Sequence, residues 1–187
     1  MLNTVLDNSA NDLCCSLLSP LVLDQGYQSA VFISAENNAA LQIPFLSALA
    51  DKLSKAGTHV VRVRADELCG GDVLETVVAA AHDQTKGDQR EQRTSNLNDL
   101  VRQITHGGTP FVMLIENIDA WVNSADGLRM LCALKAARDA VNLPPGHSGK
   151  FLVVGIGTSP KMTALTHDQS QAFYGAVDLK LPEQTRD

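Results

Sequence analysis

The sequence predicts a three-layer α/β domain with a mostly parallel five-stranded sheet between helices, on three observations. The run 111–115, Phe-Val-Met-Leu-Ile, places five apolar residues between Pro110 and Glu116. An apolar run of that length reads as a strand buried on both faces, as in a parallel sheet. Runs of this kind alternate along the chain with segments of helical period, the signature of strand–helix–strand units. At 187 residues the chain is long enough for one domain with a full core. Aromatics make up only 4% of it, so Leu, Val, Ile and Ala must build that core.

Taken in order, residues 1–27 form a helical leader and residues 28–187 the α/β domain. Leu2, Val5, Leu6, Leu13, Leu17 and Leu18 recur at near-helical spacing, until Pro20 and Gln25-Gly26 interrupt them. Residues 30–33 give a first strand and 34–40 a polar loop. Residues 43–56 form an amphipathic helix with Phe45, Leu46, Leu49 and Leu53 on one face, Pro44 in the first turn and Gly57 as the stop. Residues 59–63 make the second strand. Asp66 and Glu67 are placed to open the next helix, clearest over 73–82, and the uniformly polar 84–96 reads as a surface loop. Asn96 or Asn98 caps a helix through Leu97, Leu100, Val101 and Ile104 that stops at Gly107-Gly108. After the 111–115 strand comes a long helix over about 124–141, with Leu128, Leu131, Leu134 and Ala137 inward and Arg129, Lys135, Arg138 and Asp139 in solvent. Beyond Pro144-Pro145-Gly146 follow a fourth strand at 151–156, a short helix at 161–165 and a fifth strand at 177–181.

Composition excludes several function classes. The formal charge is −6 with no Lys/Arg cluster, which argues against a broad phosphate-binding surface and direct nucleic-acid contact. Cys14, Cys15, Cys69 and Cys132 make no CxxC pair and read as buried free thiols in a reducing compartment. The five histidines have no metal-ligand spacing, so no metal site is expected. No apolar stretch reaches the ~18 residues a membrane helix needs, and the first residues lack a basic n-region, so the expected location is cytoplasmic. Trp121, just past the central strand, is read as a half-buried packing residue, with a partner anchor as the alternative.

Ligands of open α/β folds sit at the carboxyl rim of the sheet. Two rim positions therefore carry the functional argument. The loop after the first strand stands where a phosphate-binding loop would read GxxxxGK[ST], with backbone N–H groups and a lysine on the phosphates and a hydroxyl on Mg²⁺. Here residues 34–42 read Ser-Ala-Glu-Asn-Asn-Ala-Ala-Leu-Gln, without glycine, lysine or a hydroxyl at the metal position. The other position is Glu116-Asn117, which has two readings. In one, both residues simply terminate a strand; in the other, they belong to a remnant nucleotide site with Asn37, Asn38, Gln42 and Thr158 as neutral hydrogen-bonding groups. Asn38 could equally cap the following helix.

With those residues in view, 25–182 resembles the AAA+ / P-loop ATPase superfamily, particularly the small bacterial AAA-type ATP-binding proteins. Residues 31–34 resemble the strand before the Walker A loop and 45–53 the helix after it. Leu41 falls at the lysine position and Gln42 at the Ser/Thr position. Residues 111–117 resemble the Walker B strand, with Glu116 for the metal-linked Asp and Asn117 for the water-activating Glu. Residues 151–158 resemble the sensor-1 strand with Thr158 as sensor, and 172–182 the last strand region.

The resemblance implies a P-loop NTPase-like fold, here without the helical lid domain, and a partner that meets it across the nucleotide site. The departures imply lost catalysis: no lysine for the triphosphate, an added Glu36 that repels it, and an amide where the base belongs. The expectation is a degenerate, catalytically inactive AAA+-like domain acting as scaffold or regulatory partner of an active AAA+ ATPase or of itself. No catalytic residue and no cofactor are expected. Arg129 and Arg138 are candidate interface residues, with solvated helix faces as the plainer reading. The alternative is a divergent ATP/Mg-binding ATPase with weak or partner-dependent hydrolysis, in a DNA transaction, using Lys86, Arg90, Arg93 or Lys161 as a displaced cation.

Overall fold

Apolar runs without a polar interruption must be covered on both sides, and the arrangement of strands and helices follows from that requirement. The computed structural model describes residues 2–19, 30–36, 38–68, 73–85, 96–122, 124–143, 149–158, 160 and 162–181. In chain order these form α1 (Leu2–Leu17), β1 (Ala30–Ser34), α2 (Gln42–Lys55), β2 (His59–Arg64), α3 (Val73–Thr85), α4 (Leu97–Thr105), β3 (Phe111–Glu116), α5 (Ala125–Asn142), β4 (Phe151–Gly157), α6 (Met162–His167) and β5 (Val177–Lys180). The strands pair in the order β2-β3-β4-β1-β5, every pair parallel. All residues of β1, β3 and β4 are buried.

Alternate side chains of the sheet feed two apolar layers. On one side, Val31, Ile33, Val112, Leu114, Leu152 and Val154 meet α1 and α2. The leader helix belongs to this layer: Leu6, Ala10, Leu13 and Leu17, spaced three or four apart, pack with Phe45, Leu46, Leu49 and Leu53 of α2. Asp7 and Lys52 tie the two helices at 3.0 Å. Val5 of the expected stripe faces solvent, and Ala10 and Cys14 lie inward instead. The boundary at 27/28, Pro20 and Gln25-Gly26 lie outside the described residues. On the other side, Phe111, Met113, Ile115, Phe151 and Val153 meet α3, α4 and α5, with the Phe111 and Phe151 rings stacked at 4.9 Å.

Several element ends follow their expected chemistry. Asn96 caps α4 by accepting from the Asn98 N–H at 2.8 Å, and Ser124 caps α5 by accepting from Gly127 N–H at 3.0 Å. Gly57 ends α2 with φ +80°.

Other expectations are corrected. Asp66 and Glu67 stand in a turn bound to Arg64 rather than opening a helix, and α3 runs on to Thr85. Leu128 is exposed; Met130 and Val141 complete the inward stripe of α5. Arg138 is not in solvent: its guanidinium lies 5.5 Å over the Phe173 ring and pairs with Asp139 at 2.7 Å. Trp121 is fully buried, which removes it as a partner anchor. It fits there because a Cβ on Gly127 would come within 2.3 Å of the Trp121 carbonyl oxygen. The described cysteines are free, yet only Cys14 is buried while Cys15 and Cys132 are exposed. Burial, then the neighbouring Cys15, pushes the Cys14 thiol up and keeps it protonated.

Two carboxamides act as one-residue strands. Gln84 of α3 accepts from the Arg62 N–H at 2.8 Å and donates to the Arg62 carbonyl at 2.7 Å. Asn142 of α5 does the same to Phe151, both bonds at 2.8 Å. Each satisfies a backbone pair that no described strand covers.

Candidate functional site

The carboxyl rim of the sheet is where β2, β3 and β4 release their last side chains. The alternation of β2, His-Val-Val-Arg-Val-Arg, sends Val61 and Val63 into one core and leaves Arg62 and Arg64 on the α2 side. Glu116 ends β3 on that same side, opposite Arg64 in the register. Its carboxylate is buried and takes an ion pair with the Arg62 guanidinium. Arg64 Nε stands 3.8 Å from its second oxygen. Arg62 also donates to Ser47 Oγ of α2 at 3.0 Å, so one guanidinium joins α2, β2 and β3. Arg64 in turn binds Asp66 at 2.9 Å and Glu67. Beside these pairs opens a cleft of ≈ 340 Å³ lined by Arg62, Arg64, Glu67, Leu68 and Glu116.

Asn117 has φ +50°, the left-handed conformation that Asn tolerates better than most side chains. That turn carries the chain from β3 into the 3₁₀ turn Ile118–Ala120. Hydrogen bonding from the Asn117 side chain, with help from Arg64, holds the Asp66 carboxyl below its usual range. The role of Asn117 in this geometry is conformational and electrostatic. On the neighbouring strand, Gly157 ends β4 beneath Asp119: a Cβ there would come within 2.5 Å of Asp119 Oδ1 and 2.6 Å of Met162 Sδ. Thr158 follows, half-buried.

The loop after β1 closes on itself. Asn38 N–H donates to the Ala35 carbonyl at 2.9 Å, Leu41 N–H to the Asn38 carbonyl at 2.8 Å, and Gln42 N–H to the Ala39 carbonyl. These donors are therefore directed along the chain into successive tight turns. Leu41 points into the α1–α2 layer, and Gln42 is buried at the first turn of α2 with its Oε1 unpaired. Asn38 makes no capping bond through its side chain, contrary to its plainer reading. Asn37 lies outside the described residues, as do Lys86, Arg90, Arg93 and Lys161.

No family model matches this chain, and no curated protein matches it. Solved structures do. The Aeropyrum pernix ORC2 protein in its ADPNP–ADP complexes superposes with a TM-score of 0.65 at 14% identity, over 94% of this chain and 47% of that one. The A. pernix ORC1 protein in complex with DNA gives 0.59 at 15% identity, over 97% and 45%. Drosophila ORC bound to DNA gives 0.54 at 15% identity, over 96% and 32%. The chain shares the fold of these ORC chains, a P-loop NTPase-like α/β domain. It spans less than half the length of the ORC chains it matches.

Laid on the AAA+ pattern, the site residues expected from sequence separate into two groups. Glu116 and Asn117 stand on the rim among charged partners, with Thr158 at the end of the adjacent strand. Asn38 and Gln42 belong to the closed loop. Residues to which the sequence reading gave no part in the site are bound there: Arg62 to Glu116 and Ser47, and Arg64 to Asp66. A signal for Arg62 and Arg64 exists, since basic residues at alternate positions of a valine-rich strand must face a polar partner or solvent. Among the described residues no group of three His, Cys, Asp or Glu could hold a metal ion, and no helix is long and apolar enough to cross a membrane.

Proposed function

We propose that this chain is a non-hydrolysing AAA+-like domain that serves as a scaffold or regulatory partner in a protein complex. The observation that carries this reading is the pairing of Glu116 with Arg62 and Arg64. An acidic residue at the metal-linked position must offer its oxygens to Mg²⁺, and here two guanidiniums share them. The loop supports the same reading. A phosphate cradle needs N–H groups facing the ligand and a cation beyond them. The N–H groups of Asn38, Leu41 and Gln42 bond to the chain itself, and Leu41 occupies the lysine position as a core side chain. Asn117 supplies no base for water.

The test is the thermal midpoint with and without millimolar ATP-Mg²⁺ or ADP-Mg²⁺. The expected result is no shift. A ligand at 100 times its Kd stabilises by about 2.7 kcal/mol, or roughly 5–10 °C for a domain of this size, and a shift of that order overturns the reading.

A second reading, membership of a complex that acts on DNA, draws on the matched ORC structures with DNA. With a formal charge of −6 the isolated domain is a poor ligand for a phosphate backbone, so DNA in such a complex would be held by its partners.

A further inference from the structure

The two edges of the sheet are finished differently. At the β2 edge, the outward-facing backbone of Arg62 is closed by Gln84. At the other edge stands β5, Val-Asp-Leu-Lys, paired among the described residues with β1 on its inner side alone. Its Asp178, Leu179 and Lys180 are all exposed, and Leu179 is 37% accessible in a sheet whose other apolar residues are almost all buried. No described side chain bonds to this edge as Gln84 does to β2.

Strand geometry fixes what such an edge can accept. Leu181 N–H donates to the Ser34 carbonyl at 2.9 Å, so odd-numbered positions turn their backbone groups toward β1. Asp178 and Lys180 therefore turn theirs outward. In an antiparallel pair of two copies, outward-facing residues must stand opposite one another in hydrogen-bonded pairs. The candidate registers put Asp178 opposite Asp178, Lys180 opposite Lys180, or Asp178 opposite Lys180. The first two oppose like charges; the third opposes unlike charges twice, once on each side of the two-fold axis. That register also brings Leu179 against its own copy on the axis.

We infer that the β5 edge is a self-association surface, where a second copy of this chain adds β5 antiparallel in the Asp178–Lys180 register and joins two sheets into one. The pairing is isologous, so it closes as a dimer and does not propagate. A strand this short buries less than a stable interface requires, so the dimer is weak and forms in the upper micromolar range. The inference is independent of the rim, since neither nucleotide nor Glu116 takes part.

Sedimentation equilibrium of the 187-residue chain, from low micromolar to near-millimolar concentration, tests it. The wild type is expected to show a monomer–dimer equilibrium. Lys180→Asp places like charges opposite each other at both pairs and is expected to weaken the dimer about tenfold or more. Asp178→Lys alone acts in the same direction. The double exchange Asp178→Lys with Lys180→Asp restores unlike pairs in this register and is expected to restore the dimer. These positions are exposed, and an unchanged thermal midpoint confirms that each variant is folded. A wild type that stays monomeric overturns the inference and leaves the edge to a strand from a different protein. So does a dimer that Lys180→Asp leaves unchanged, or one that the double exchange fails to restore.

Discussion

The interior of the sheet and its carboxyl rim are built by opposite rules. Between Phe111 and Ile115, and between Phe151 and Ile156, every side chain is buried, and the stabilisation is the removal of apolar surface from water. One strand position beyond, at Glu116 and Arg64, the chemistry becomes charge against charge. An interior of this kind tolerates no loss of volume, because nothing nearby fills the gap. A rim of paired charges tolerates the loss of both partners better than the loss of one, since what costs most is a buried charge left alone. Stability and rim chemistry are therefore separable in this fold. The sheet carries the stability, while the rim has only to neutralise itself.

The largest expected effect strikes the interior. Leu114→Ala removes a fully buried side chain facing α2 and is expected to cost about 2–5 kcal/mol, read as a lower midpoint in urea with an unchanged slope. The rim gives the middle effect. Arg62→Leu leaves the buried Glu116 carboxylate with the distant Arg64 alone, and is expected to cost roughly 1–3 kcal/mol, below a fully buried pair because Arg62 is partly exposed. Adding Glu116→Leu is expected to recover most of that loss. A double variant no better than the single one would mean that the rim is held by more than the pair.

The smallest effect comes from the opposite end of β2, where a polar group lacks such a partner. His59 packs edge-on against Phe111 at 5.8 Å, its Nε2 is buried and unpaired, and burial lowers its pKa from 6.5. The unfolded chain therefore takes up the proton first as the pH falls. The stability that His59 contributes is present above about pH 6.5 and is lost as the pH drops through its lower folded value. Denaturant midpoints measured from neutral pH downward should fall along this course, and His59→Leu should flatten that part of the profile.

The fold was legible in the sequence because it rests on period. The apolar runs at 111–115 and 151–156 can satisfy themselves only inside a parallel sheet, and the caps at Asn96 and Ser124 are short-range chemistry. What the sequence withheld was partnership across distance. Arg62 finds Glu116 only because β2 lies beside β3 in register, and Arg138 leaves solvent only because the turn carrying Phe173 folds beneath it. Leu128 shows the limit of helical period itself: one residue of a regular stripe falls outside the contact because α5 meets its layer through Met130, Leu131 and Leu134. The closed loop after β1 was half legible. Its missing glycines and lysine were plain, but the inward turn of Leu41 depends on the α1–α2 layer that receives it.

The strand order also sets a timetable. β1 leaves the ribosome before both strands that flank it, β4 and β5, and Ala30 waits for Val153 more than a hundred residues later. Until then the central position of the sheet is vacant, and the apolar β1 must be sheltered by local helices or by a chaperone. Contacts this remote in sequence slow folding, because the chain closes a long loop before any hydrogen bond rewards it. A nascent chain halted before β4 would carry β1 as an unpaired, aggregation-prone segment, so the same topology that seals the finished domain makes its unfinished forms vulnerable.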